Sequence, residues 1–394
     1  MRLPVNVPRR LSHETTIILV RHGESLSDLP GYYSENYDQD VLTEKGRDHA
    51  YLTGLALKKS KISAIYTSPL KPSQQTAIEI LAAFSQTGKT LPQMRQSEDL
   101  EEIDLSAWQG LPLQKVKKEF SQELQSEVYS SPIAATRLKK SAVFTPIQNS
   151  IYPELALYQD SKKFWKTVLS HHQGQTILVI SHRHKNRALI NTALGIEANL
   201  FHSIQQSSCG ISILKFPQNR LNPGELKAIN MTAHLCESLP RLEVENQGLR
   251  LLFVSASNQN PQQIKKISEQ LQEVSIYFCL SQILNNSQII SDQILRYHPN
   301  VMQFQVLKDD LLQAWEKKIQ ERNQIASASK YEKKVRTGLV IVDDLIIKHF
   351  LSQVLNLSLN QVQNWQLDPG TIHSIYYPFE HPATIQTLNY RCYL

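Results

Sequence analysis

The sequence predicts an α/β protein made of two tandem copies of one domain, each a sheet covered by helices on both faces. Three observations predict it. Short apolar, β-branched runs alternate with stretches of helical periodicity along the chain. The strongest runs each end abruptly in a polar cluster, where α/β folds gather reactive groups at the carboxyl ends of strands. Finally, Thr176–Pro217 aligns without a gap with Thr337–Pro378, 161 residues further on. A chain of 394 residues is long enough for two or three cores.

The first strand is Thr16–Val20, ending at Arg21-His22-Gly23-Glu24-Ser25. Leu42-Thr43-Glu44-Lys45-Gly46 opens a helix with Thr43 as its N-cap and an apolar face through Ala50, Leu52, Leu55 and Ala56. A short strand, Ser63–Thr67, leads through a polar turn to a helix over Thr76–Ala83. Trp108 falls in a loop, and Leu111–Ser150 reads as a helix plus an irregular insertion. A helix over Tyr158–Leu169 precedes the third buried strand, Thr176–Ile180, which ends in Ser181-His182-Arg183-His184. The following helix runs to about Leu194, with Gly195 as its stop.

The repeat extends upstream, since Ile17–Val20 matches Leu251–Val254 and Ala64–Thr67 matches Ile276–Cys279. Domains are expected at 12–238 and 247–394, joined near Glu237–Gly248. The second is shorter because the insertion after Trp108 has little counterpart.

Composition narrows the class. Hydrophobic residues make up 41% and charged residues 20%, a globular balance that argues against wholesale disorder. The longest apolar runs fall far below the ~18 residues of a membrane span. The first residues lack the apolar stretch of a secretory signal. A formal charge of +6 is mild; it suits anionic substrates, and no nucleic-acid signature accompanies it. Four scattered cysteines without a CxxC pair suggest reduced thiols and a cytoplasmic location. The histidines at 171, 172, 182 and 184 have no carboxylate or cysteine frame, so no metal site is expected.

Phosphoryl transfer to a side chain requires cationic donors for a dianion, a neutral nucleophile and an acid for the leaving oxygen. The first copy supplies those types in Arg21, His22, His182 and either Glu101 or Glu102.

Arg21-His22-Gly23 resembles the signature of the histidine phosphatase superfamily, the phosphoglycerate mutase-like proteins. Three further pieces follow in the family's order: Leu42–Gly46, Ser68–Ala77 and Ser181-His182. Leu100–Gly110 resembles the family's Leu-x-Glu…Trp-x-Gly stretch and selects Glu102. The tandem arrangement is similar to the two-domain branch that includes carboxyarabinitol-1-phosphatase. The resemblance implies three-layer α/β/α sandwiches of phosphoglycerate mutase-like fold, the second copy degenerate. It implies that His22 attacks phosphorus, and that Arg21 and His182, with Arg183 and Ser25, hold the phosphoryl oxygens. Glu102 then serves as acid and base. Metal and organic cofactor are not implied, and the expected partner is a small phosphorylated metabolite rather than nucleic acid or membrane.

Three positions depart from the family pattern. Pro72 stands where a second pocket arginine is expected, Asp28 where an asparagine is usual, and Arg183 where glycine is common. Arg183 or Lys71 is the available replacement for the missing cation. In the second copy Ser255-Ala256-Ser257 replaces Arg21-His22-Gly23, and Asp343 replaces His182, so no phosphoryl transfer is expected there. The leading expectation is a phosphatase for small phosphate esters; mutase activity is a lesser one. The competing expectation is a pseudophosphatase that binds a phosphorylated metabolite or a protein partner without turnover.

Overall fold

The computed structural model describes residues 14–29, 40–86, 90–102, 153–217, 221, 224–242, 247–257, 260–284, 286–308, 310–313, 315, 334–378 and 381–391. Trp108, the insertion at 111–150 and Cys392 lie outside the described residues. The N-terminal half contributes strands β1 (Thr15–Arg21), β2 (Ile62–Thr67), β3 (Gln93–Gln96), β4 (Thr176–Ser181), β5 (Ile211–Phe216) and β6 (Glu225–Met231). Its helices are α1 (Glu44–Leu57), α2 (Lys71–Ser85), α3 (Pro153–His171) and α4 (Arg183–Leu194). The C-terminal half contributes strands β7 (Gly248–Ser255), β8 (Phe278–Gln282), β9 (Met302–Val306), β10 (Val335–Val342), β11 (Ile372–Pro378) and β12 (Thr384–Tyr390). Its helices are α5 (Pro261–Leu271), α6 (Ser287–Ile294), α7 (Asp344–Leu355) and the short α8 (Leu359–Val362).

These twelve strands form one sheet in the order β3-β2-β4-β1-β5-β6-β12-β11-β7-β10-β8-β9. The order is the same read inward from either edge. In each half a parallel set, β3-β2-β4-β1 or β9-β8-β10-β7, is extended by two antiparallel strands. The halves meet where β12 runs antiparallel to β6, with Leu388 opposite Ile229.

Side-chain alternation explains the layers. Ile17 and Leu19 of β1 point to one face, Ile18 and Val20 to the other, and all four are at most 4% exposed. On the first face Ile17, Leu19, Ile177 and Val179 share one continuous core with Leu251, Phe253, Val340 and Val342 of the C-terminal half. On the opposite face each half keeps its own core, Ile18 with Ile180 and Leu252 with Ile341. The expectation of tandem sandwiches is refined here: the halves share a sheet and one of its cores. Burying a Leu, Ile or Val stabilises by ~1.5–3 kcal/mol, so the shared face ties the halves together strongly.

The seam between the halves has a local pseudo-twofold. Asn230 and Asn389 both adopt positive φ, 50° and 55°. The Asn230 amide donates to the Gln386 carbonyl at 3.0 Å, and the Asn389 amide donates to the Lys227 carbonyl at 2.7 Å. Each reaches three residues upstream of its counterpart.

Element ends follow local chemistry. Thr43 caps α1 by accepting from the Gly46 N–H at 3.0 Å. Gly195 ends α4 at φ 75°. Helix α2 begins at Lys71, five residues before the expected start, because Pro72 occupies the first turn, where a missing N–H costs nothing. Strand β3, whose four residues are all exposed, has no apolar alternation and was not anticipated from the sequence. No helix among the described residues is long and apolar enough to cross a membrane.

Candidate active site

The register of β1 against β4 sets Arg21 opposite Ser181. The next residues, His22 and His182, therefore leave the sheet side by side, and the His22 N–H donates to the Ser181 carbonyl at 2.9 Å. Their rings stand 5.1 Å apart between centroids and tilt by 58°. Both are buried, at 7% and 4% exposure.

His22 Nδ1 lies 2.7 Å from the Gly23 carbonyl oxygen. A carbonyl only accepts, so Nδ1 carries the proton and Nε2 keeps its lone pair. Burial, then the neighbouring Arg21 guanidinium, holds the His22 pKa below 6.5, which favours the neutral ring. His182 is drawn down to about 3, first by burial and then by His22. Its Nε2 sits 2.9 Å from the Ser68 hydroxyl and 3.3 Å from that of Ser73. Sequence reasoning missed both serines. Ser68 lay within the matched Ser68–Ala77 segment, and Ser73 is the neighbour of the anomalous Pro72.

The turn after β1 is held by backbone proximity. A Cβ on Gly23 would stand 2.4 Å from the Gly46 carbonyl oxygen, and one on Gly46 would stand 2.0 Å from that of Glu24. The two motif glycines thus let the His22 turn and the first turn of α1 touch. Thr76 adds a third tie, accepting from the Gly23 N–H at 2.9 Å while donating to the Pro72 carbonyl at 2.7 Å.

Arg21 is 4% exposed. Its Nη1 donates to the Gln206 carbonyl at 3.1 Å, and its Nη2 pairs with Asp28. Asp28 therefore points at the guanidinium. Burial pushes its carboxyl up, but Arg21, His22, the Ser25 N–H and Arg183 together outweigh that and keep it below the usual carboxylate range. The influence of Arg183, in the first turn of α4, places its guanidinium in the field of this cluster. Lys71, the other candidate replacement, is exposed at the start of α2. Ser25 is fully buried and donates its hydroxyl to Asp40 at 3.0 Å, so its one proton is already directed at a carboxylate.

Glu102 reaches the start of α4. Its Oε2 accepts from the His184 backbone N–H at 3.3 Å and lies 3.4 Å from His184 Nδ1. Both central histidines feel its charge. The preceding turn is anchored by Ser181, whose hydroxyl donates to the Leu100 carbonyl at 2.6 Å. Glu101 is exposed. Among the described residues no group of three His, Cys, Asp or Glu side chains converges as a metal site.

The same strand ends of the C-terminal half carry different chemistry. Ser255 lies opposite Val342 as Arg21 lies opposite Ser181, and the Ala256 N–H donates to the Val342 carbonyl as His22 does to Ser181. Asp343, at the place of His182, caps α7 by accepting from the Ile346 N–H at 2.9 Å. Gln282 donates to Asp343 at 3.1 Å, and Ser255 donates to Asp344. Two carboxylates, met by an amide, a hydroxyl and Lys308, stand where the N-terminal half sets two histidines beside Arg21.

A family profile described as the histidine phosphatase superfamily (branch 1) matches residues 17–230, more than half of the chain. The chain is 35% identical over 205 residues to a probable 2-carboxy-D-arabinitol-1-phosphatase of Arabidopsis thaliana, covering 52% of this chain and 39% of that protein. It is 32% identical over 206 residues to the 2-carboxy-D-arabinitol-1-phosphatase of Triticum aestivum, covering 52% and 38%. The match thus spans under two fifths of the length of these relatives. Phosphoserine phosphatase 1 of Hydrogenobacter thermophilus is 28% identical over 221 residues, 56% of this chain and 94% of its own. A crystal structure of the Entamoeba histolytica phosphoserine phosphatase aligns at TM-score 0.42 and 22% identity, covering 56% of this chain and 99% of that one.

Proposed function

The chain belongs to the histidine phosphatase superfamily, and on that premise we propose that its N-terminal half hydrolyses small phosphomonoesters through a phosphohistidine on His22. The observation that carries the reading is the pinned His22 ring, with Nδ1 bonded to the Gly23 carbonyl beside His182. The Nε2 lone pair attacks phosphorus as the ester P–O bond breaks. Protonated Glu102 gives its proton to the leaving alkoxide. Water then attacks the phosphohistidine, Glu102 takes the water's proton, and the P–N bond breaks to release phosphate and neutral His22. Arg21, His182 and Arg183 hold the phosphoryl oxygens, His182 as a neutral ring and the two arginines performing the charge-neutralising task that a metal ion performs in other phosphoryl-transfer sites. Ser25 acts one step back, donating its hydroxyl to Asp40 and its backbone N–H to Asp28.

The relatives are named for small phosphorylated acids, carboxyarabinitol phosphate and phosphoserine. A small phosphorylated metabolite is accordingly the substrate class we assign. We read the C-terminal half as a degenerate second copy without phosphoryl transfer. Its domain limits are 247–394, against 12–238 for the first. The absence of CxxC pairs in the sequence supports a reducing, cytoplasmic setting.

His22→Ala should abolish hydrolysis of an aryl phosphate, and acid quench of the wild type should trap phosphate on histidine. Chelators should leave the rate unchanged. A second reading, binding of a protein partner without turnover, is favoured by one contact: Asp28 already occupies the Arg21 guanidinium that an incoming phosphate needs. Equal turnover by wild type and His22→Ala would select it.

A further inference from the structure

Among the described residues, a backbone segment that carries a ligand of Arg21 is bonded to the C-terminal half. Arg21 Nη1 rests on the carbonyl of Gln206. The residues just before it are laced to β12. The Ile385 N–H donates to the Ser203 carbonyl at 2.7 Å, the Gln205 N–H donates to the Ile385 carbonyl at 3.0 Å, and Ile204 pairs with Ile385 in a parallel bridge. The Thr384 hydroxyl donates to the His202 carbonyl at 3.2 Å.

Side chains complete the clamp. Gln205, 3% exposed, donates from Nε2 to the Arg241 carbonyl at 2.6 Å and to the Ser207 hydroxyl at 3.1 Å. Asn230 accepts from the Ser207 N–H at 2.7 Å and donates to the Gln386 carbonyl. On the other side the Arg187 Nε donates to the Ile204 carbonyl at 2.8 Å. The segment whose Gln206 carbonyl orients Arg21 is therefore held from two directions, by Arg187 on one side and by β12, the Arg241 carbonyl of the link and Asn230 of β6 on the other. Buried, hydrogen-bonded backbone of this kind resists displacement.

We propose that the degenerate half is retained as part of the phosphate site: β12 holds the segment 202–207 of the first half and so sets the position of Arg21, with Gln205, within that segment, a positioning residue. The inference rests on the reading of Arg21 as a phosphate ligand. A planar guanidinium binds an oxyanion by two aligned N–H groups, so a small rotation costs one of them.

The test uses the full chain and orthovanadate as the probe. Gln205→Ala should raise the vanadate Kd, and the KM for an aryl phosphate, by about tenfold, the order expected for one charge-assisted hydrogen bond. On an Arg21→Ala background the same change should move the vanadate Kd less than about twofold, because coupled residues are non-additive. Asn230→Gly, which keeps the positive φ accessible, should weaken vanadate in the same Arg21-dependent way, and it decides the matter if Gln205→Ala does not fold. Asn260→Ala removes the N-cap of α5, where Asn260 accepts from the Gln263 N–H at 2.9 Å outside this path, and should lower the Tm without changing the vanadate Kd. Unchanged vanadate affinity in Gln205→Ala and Asn230→Gly would overturn the proposal, as would a full effect that persists without Arg21. A wild-type chain that binds vanadate yet hydrolyses nothing would sink the phosphatase reading alone and leave the clamp tested.

Discussion

Gly23→Ala is the sharpest probe of how the His22 turn is held. The added methyl would stand 2.4 Å from the Gly46 carbonyl oxygen, with the carbonyl carbon at 3.0 Å and Cα at 3.2 Å. Even a very tight 3.0 Å contact requires a retreat of about 0.6 Å, and ordinary contact at 3.4 Å requires about 1 Å. Neither wall yields easily. Gly46 belongs to the capped first turn of α1, and the Thr43 N–H ties that turn to the Glu24 carbonyl at 2.9 Å. Overpacking of this kind costs ~1–3 kcal/mol. The displacement falls on the residue next to His22, where ~1 Å of misplacement costs on the order of a hundredfold in rate. The control is Gly54→Ala, whose methyl would meet Ala83 Cβ at 2.6 Å and the Ile80 carbonyl at 2.8 Å between α1 and α2. Urea unfolding and aryl phosphate kinetics on both variants separate the two costs. Gly23→Ala should lose stability and about a hundredfold in kcat/KM; Gly54→Ala should lose stability alone. A Gly23→Ala chain with wild-type unfolding and wild-type kcat/KM would refute the claim that this backbone contact positions His22.

Asp28→Asn removes the carboxylate facing Arg21; a unit charge ~6 Å away at an effective dielectric of ~20 is worth about 3 kcal/mol, so vanadate should bind at least about tenfold tighter, and weaker binding on titration would reject the repulsion argument. Arg183→Ala should raise the aryl phosphate KM if its guanidinium replaces the cation missing at Pro72, whereas identical kinetics would show that it does not. His373 is fully buried, held at about 3 by that burial, and accepts from the Asn389 N–H at 3.2 Å. The unfolded chain therefore binds the extra proton, and stability falls as pH drops below 6.5 toward about 3, by ~1.4 kcal/mol per pH unit for this one ring; His373→Gln should flatten the urea-unfolding slope between pH 6.5 and 5 by that amount, and an unaltered slope would contradict the sign. Removing residues after 245 strips β12 from β6 and uncovers Ile229, so the remainder should aggregate or lose activity; a soluble, equally active fragment, checked by size exclusion and assay, would count against the clamp.

The parts of the site that the sequence revealed were those written in contiguous residues. Thr16–Val20 and Thr176–Ile180 are apolar on both faces because the sheet is covered on both, and each delivers its polar cluster one residue after the strand ends. The repeat predicted the corresponding ends at Ser255 and Asp343. Missed were contacts between segments distant in the chain. Nothing near Asp28 announces its pairing with Arg21, to which 3₁₀ geometry and the Ser25 N–H turn its carboxylate. Ser73 fell in the polar turn expected before Thr76, whereas α2 begins at Lys71 and buries it. The shared core was equally hidden, since the pattern of Leu251 and Phe253 says that a face is buried but not against what.

The strand-to-strand joint at β6 and β12 has a consequence for how the chain comes apart. With Leu388 opposite Ile229, reciprocal asparagine amides across the seam and one core running beneath both halves, the described residues tie the halves into one body. The denaturant response should accordingly be a single steep transition whose m-value reflects surface released from both halves at once, and loss of the C-terminal half should be felt throughout the N-terminal one.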